Sequence, residues 1–215
     1  MIADIIQTEK GLYTASFVVK QGTEQIGSFF LQGKLGSMEA EVQGKIFDTN
    51  IQMRFGKIES YKLTRAQAFR PYLIFMDDNP MPQGNIYQTT FNGGFWNKFS
   101  FHQLILNEKI FDLYPIAMGE KGGKSPLFFE NKQIAQIDKE CVVHNDLHNY
   151  KIFAEDASAV QKAVIFAIYM YINAGFKPGK KAISGEAKTI STITNKFLKG
   201  KYDPFFVEKI KSLEQ

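Results

Sequence analysis

Three clusters in this 215-residue chain hold side chains that could do chemistry. The first is His144-Asn145-Asp146-Leu147-His148, with His102 the one further histidine. Two histidines four apart on a helix project to the same side and could share a metal ion. Between two strands they would not, and Asn-Asp is ordinary turn chemistry. A closed structural zinc site also needs about four ligands, and the segment contains no cysteine. The expectation is a polar hairpin loop without a metal, with His144 and His148 as the candidates if one is held. An enzyme would require the fold to bring His102, His144 and His148 into one cleft.

The second cluster, Gly119-Glu120-Lys121-Gly122-Gly123-Lys124-Ser125, looks like a phosphate loop. That motif needs a glycine five positions before Gly123, where this chain has Met118, and a helix immediately after it. Pro126-Leu127-Phe128-Phe129 reads as a strand instead, so no nucleotide cofactor is expected. The third cluster is Lys177, Lys180 and Lys181, in a Pro-Gly linker, which could face lipid headgroups or another anion. Neither G-x-S-x-G nor H-E-x-x-H occurs, so no catalytic residue is assigned and a binding or scaffold role is expected ahead of catalysis. The aromatic run 85–101 carries one cation, Lys98, whereas single-strand binders track the backbone with a positive groove. Nucleic acid is not expected as a partner.

Composition narrows the class. Twenty Phe and nine Tyr favour pleated, half-buried surfaces. The lone Cys141 excludes an intrachain disulfide framework and suits a reducing compartment. The N-terminus has no basic region followed by an apolar one, so no signal peptide is read and a cytoplasmic location is expected. Residues 176–215 hold nine lysines against four acids, an excess of +5, which leaves −1 for the first 175 residues given the total of +4. A basic tail of this kind could meet an anionic membrane or a protein partner; it could equally be a solvated face.

The elements that must position these residues read as strands. Runs at 12–20, 24–31, 39–47, 51–55, 72–76, 85–91, 98–106, 110–118, 126–130, 133–138 and 150–154 are separated by Gly, Asn and Asp turns, the rhythm of a sandwich or barrel. Residues 58–69 could form a short helix. Turn-strand segments at 22–27 and 130–137 look alike, as a duplicated hairpin would. The segment 156–174 is different. Residues 163–172 carry no charge and no amide on any face, so this helix should be surrounded rather than lie on a surface. Ten such residues rise only about 15 Å, too short for a bilayer. It is predicted as a central helix that strands of residues 10–155 wrap around. After it, two short amphipathic helices are predicted at 184–199 and 203–213, the second with an apolar stripe of Phe206, Ile210 and Leu213 that could dock a partner or a second copy.

A closed antiparallel β-barrel around a late hydrophobic helix resembles the tubby C-terminal-like superfamily, which includes the phospholipid scramblases and the LURP-one-related proteins. The residues that carry the resemblance are KQIAQID (132–138), YKIFAED (150–156) and the helix 157–174. It implies a barrel over residues 1–175 with a central helix at 156–174, followed by a basic helical extension at 176–215. It also implies an association with anionic lipids such as phosphoinositides. The chain departs from the scramblases in having no proline-rich arm and no cysteine cluster, and from the whole group in its C-terminal extension.

Overall fold

The helix predicted from its unbroken apolar surface is present as α1 (Ala157–Ala174) in the computed structural model, which describes residues 1–34, 39–56, 69–92 and 98–214. Asp156 starts it as an N-cap, its carboxylate accepting from the Ala159 amide at 2.7 Å. Gly175 ends it, and the amides of Gly175 and Phe176 both donate to the Tyr171 carbonyl. Residues 163 to 169 are all fully buried, about two turns, so no face of the helix meets water.

A closed sheet provides the enclosure. In chain order its strands are β1 (Ile2–Lys10), β2 (Thr14–Gln21), β3 (Glu24–Gly33), β4 (Ala40–Ile46), β5 (Thr49–Phe55), β6 (Phe69–Met76), β7 (Gly84–Asn92), β8 (Lys98–Leu106) and β9 (Lys109–Leu113). After the two-residue β10 (Ile116–Ala117) come β11 (Gly123–Phe129), β12 (Lys132–Lys139), β13 (Val142–His144) and β14 (Asn149–Ala154). Neighbouring strands pair antiparallel from β11 through β12, β14 and β1 to β9, and β9 pairs back onto β11. Twelve strands thus form a closed barrel. Side chains alternate along each strand. Inward residues such as Ile5, Phe17, Leu31, Met53, Ile74 and Ile152 share one core with α1. Two-residue turns with positive φ at both positions, Asn107-Glu108 and Glu130-Asn131, match the right-handed strand twist and keep the hairpins tight.

Several expectations change. The barrel begins at β1, ahead of residue 10. This strand was illegible because Ile2 and Ile6 lie on one of its faces while Ala3, Ile5 and the polar Gln7 are buried on the other, so polarity does not alternate. The run 110–118 divides at Pro115 into β9 and β10. The possible helix at 58–69 falls outside the described residues except for Phe69, which opens β6.

Of the predicted helix 184–199 only the last turn, 196–199, is helical. Its TISTIT sequence is β-branched and hydroxyl-rich, unfavourable in a helix. Instead β15 (Glu186–Lys188) pairs with β13, and Thr192 bridges to Met118. A short α2 (Lys196–Lys199) follows, capped by Asn195. The last helix, α3, spans Phe206–Ser212; Asp203 and Pro204 precede it, Asp203 accepting from the Phe205 amide at 2.9 Å. Phe206 and Ile210 pack outside the barrel on Phe153, while Leu213 is 71% exposed. Two of the three stripe residues are therefore used within the chain.

The all-round burial of α1 sets an expected outcome. Ile168→Lys should abolish the cooperative fold, leaving no near-ultraviolet circular dichroism, because an unpaired ammonium would sit in an apolar core. Asp156→Ala should still fold but lose about 1 kcal/mol in urea titration, because only the helix cap is removed.

Candidate functional site

At the end of the barrel where α1 stops, the interior is not filled. A cavity of about 520 Å³ remains there, within the range of roughly 300–1,000 Å³ usual for small-molecule sites. Its walls come from β8 (His102), β11 (Ser125), β12 (Ile137 and Lys139), β14 (Tyr150) and α1 (Met170 and Asn173). Ser191 and Ile193 of the C-terminal segment contribute a further wall. That segment is held by backbone bonds from Gly119 N to the Ser191 carbonyl (2.9 Å) and from Ile193 N to the Ala117 carbonyl (3.1 Å).

The polar groups of this cavity are incompletely satisfied. His102 is 8% exposed, edge-on to the Tyr169 ring at 5.3 Å, and its Nδ1 has no hydrogen-bond partner among the described residues. Burial lowers its pKa to about 4, so the ring is neutral at pH 7. Asn173 Oδ1 accepts from Arg70 Nη1 at 3.4 Å, while its buried Nδ2 is directed at the Tyr169 hydroxyl without a well-formed hydrogen bond. Lys139 lies with its amine 5.5 Å from the centre of the Tyr150 ring, and burial lowers its pKa too. It has no ion pair with a described residue. The Tyr150 hydroxyl is pushed well up by burial. Alternation along β12 places Ala135, Ile137 and Lys139 on one face, so the strand pattern itself points Lys139 towards the core side.

A second cavity, of about 420 Å³, shares Lys139, Ala174 and Ser191 with the first and contains His148. Here the Asn145-Asp146 turn, with φ of 52° and 59°, presents Asp146 to a buried ion pair with Lys10. His148 Nε2 lies 3.7 Å from Asp146 Oδ1, and its ring stands edge-on to Tyr171 at 5.3 Å. Gln7 ties the group together: its Nε2 donates to the Tyr171 hydroxyl at 2.9 Å, and its Oε1 accepts from the His148 amide at 2.9 Å. Burial, then the nearby charge of Lys139, lowers the pKa of His148 to about 4 against the pull of Asp146.

The structure does not bring the three histidines into one cleft. His102 and His148 line different cavities, and His144 is an exposed side chain 3.8 Å from Glu186. The segment 144–148 is a hairpin turn closed by a His144–Leu147 bridge. Among the described residues no three His, Cys, Asp or Glu side chains are grouped to hold a metal ion. In the glycine-rich segment, a 3-10 turn at Gly119–Lys121 leads into strand β11, and Lys124 pairs with Asp138. Lys177, Lys180 and Lys181 are exposed in a turn just beyond α1, where the Lys180 amide donates to the Lys177 carbonyl, and none is ion-paired with a described residue. Lys177 also borders the His148 cavity.

Lys139, Asn173 and Tyr150 were missed by sequence reasoning as site residues, and Ser125 was considered only as the end of a phosphate-loop motif. Only the register of β12 offered a signal, and only for Lys139. No family model matches the chain, and no curated protein or solved structure matches it either.

The two buried histidines make stability depend on pH. Each has a folded pKa near 4 against an ordinary 6.5, so between those values the unfolded chain binds more protons. Stability is full above about pH 6.5 and falls as pH drops towards 4, by up to about 3 kcal/mol per histidine. The groups around His148 are Lys10, Lys139, Asp146 and Tyr171, and Tyr169 lies against His102. Urea midpoints measured from pH 7 to pH 4 should fall, and His102→Gln should flatten about half of that slope.

Proposed function

We propose that the protein is a non-catalytic binding module whose ligand site is the barrel mouth at the C-terminal end of α1. The cavity of about 520 Å³ carries this reading. Apolar residues of the strands and α1 share one core, whereas two of the buried polar atoms without a well-formed hydrogen bond among the described residues, on His102 and Asn173, belong to residues that line this cavity. Buried polar groups are normally paired, and a ligand is one way to pair them. Binding is favoured over catalysis because two of the cavity's hydroxyls face no base: Ser125 Oγ lies 4.0 Å from Met170 Sδ and Ser100 Oγ 3.2 Å from Thr90 Oγ1.

A second reading concerns the same end of the molecule. Lys177, Lys180 and Lys181 are exposed, without ion pairs to described residues, within an extension whose charge excess is +5. Together with the resemblance to tubby-like proteins, this favours reversible association with anionic lipid surfaces. A protein partner on the extension is the rival, and Leu213 is the residue of the predicted stripe that it would still find exposed.

The uncharged dye N-phenyl-1-naphthylamine should bind saturably at one site with a rise in fluorescence. Ser125→Phe, which fills the cavity, should remove that site while leaving the melting temperature within a few degrees. Dye binding unchanged by this variant would count against the cavity. For the lipid reading, sedimentation with phosphatidylserine vesicles should be strong at low salt and weak at physiological salt, where the Debye length is about 8 Å. Changing Lys177, Lys180 and Lys181 together to Ala should abolish it; no sedimentation at low salt would rule the lipid reading out.

A further inference from the structure

Lys139 is the feature that the packing of the barrel does not explain. It ends β12 on the inward face, beside Ile137, and its amine has neither a hydrogen bond nor an ion pair with a described residue. The amine sits 5.5 Å from the centre of the Tyr150 ring, and its charge also reaches His148. A half-buried ammonium without a counter-charge is unfavourable. By contrast, the neighbouring cations that also face polar ground are paired: Lys124 with Asp138, Lys10 with Asp146, and Lys151 with Asp4 at 3.5 Å.

The charge around the cavity is one-sided. Among its described lining residues Lys139 is the only charged side chain, and none is an aspartate or glutamate. His102 is neutral, and the Asn173 Nδ2, directed at the Tyr169 hydroxyl, is a donor without a well-formed hydrogen bond. The remaining wall is largely apolar, with Ile116, Ile137, Met170 and Ile193 forming much of it. One cation, one spare amide donor and an apolar chamber complement a molecule with one negative head and a hydrocarbon body. A doubly charged phosphate would call for more donors than this wall offers, since phosphate sites gather several cations or backbone amides.

With the mouth cavity as the ligand site, we infer that it takes an apolar monocarboxylate, whose carboxylate pairs with the Lys139 ammonium and accepts from Asn173 Nδ2. The hydrocarbon then lies between Ile137, Met170 and Ile193. The lowered pKa of Lys139 fits an amine whose charge the empty cavity does not compensate. The carboxylate supplies that compensation, so the ion pair contributes to affinity more than an exposed one would.

Isothermal titration with decanoate, kept below its micelle concentration, and with uncharged decanol tests this on the full chain. Decanoate should bind one to one, at least about tenfold tighter than decanol. Lys139→Met should remove that preference and leave decanol binding unchanged. A second arm needs no variant: carbodiimide activation of bound decanoate should join it through an amide to Lys139, located by peptide mass mapping. Equal affinities for decanoate and decanol would overturn the carboxylate assignment while leaving the cavity as a binding site. Coupling spread over surface lysines and absent from Lys139 would do the same. If neither probe binds and the dye does not bind either, both the assignment and the mouth cavity as a ligand site fall.

Discussion

The structure depends on the need to surround α1. A helix with seven consecutive fully buried residues must be enclosed on every side, and an open sheet covers only one face. Closing the sheet meets this need and removes the free strand edges that would otherwise invite association. The pairing of β9 with β11 makes the closure, and β1 fills the place between the last strand, β14, and β2. The two tyrosines that α1 brings into the core each find partners. Tyr169 donates to the Phe69 and Arg70 carbonyls, at 3.2 and 3.0 Å, and Tyr171 accepts from Gln7. Their hydroxyls are satisfied within the barrel and add direction to a core otherwise held by non-directional burial.

The same constraint creates the mouth cavity. A helix ends where its apolar residues end, and α1 ends through Asn173 and Ala174 before the strands around it do. Asn173 in the last turn of α1 and Lys139 at the end of β12 are polar, as positions that usually meet water are. Here the C-terminal segment crosses the opening, and what would be a rim becomes a wall. Half-buried polar groups at a mouth differ in character from the packed interior below them. They are also the groups whose titration and pairing a bound molecule can change.

The extension is fastened to the barrel by aromatic and cationic contacts more than by helical packing. Phe176 lies against Gly33, where even a methyl group would come within 2.8 Å of its ring. Phe197 of α2 stacks on Phe91 and Phe99 at 5.9 and 5.5 Å, and the Lys201 amine sits over the rings of Tyr114, Phe128 and Phe197. Cation–π contacts of this kind are worth on the order of 1 kcal/mol each at partly exposed sites. Nearby, Tyr87 donates to Gln103, which donates to Asp112, whose carboxyl burial pushes upward. This network lies on the outer side of β7, β8 and β9 and accounts for the polar residues in a region otherwise rich in aromatics.

Local information settled the elements that depend on local pattern. The all-round apolar run of α1, its Asp156 cap, most of the strands and the Asn-Asp hairpin turn are legible in the chain because each follows from side-chain periodicity or turn chemistry over a few residues. The enclosure of α1 followed too, since no surface position suits such a helix. What tertiary structure decided was everything set by partners distant in sequence. Strand β1 was hidden because both of its faces are covered, one by the core and part of the other by α3. Most of the segment 184–199 is extended because β13 pairs with its start and its β-branched middle disfavours a helix. The separation of His102 from His148 and the exposure of His144 depend on which strands lie side by side. Above all, Lys139 looks like any lysine closing a strand; only the ring of strands, the end of α1 and the crossing segment, meeting from far apart in the chain, make it a half-buried charge without an ion pair among the described residues.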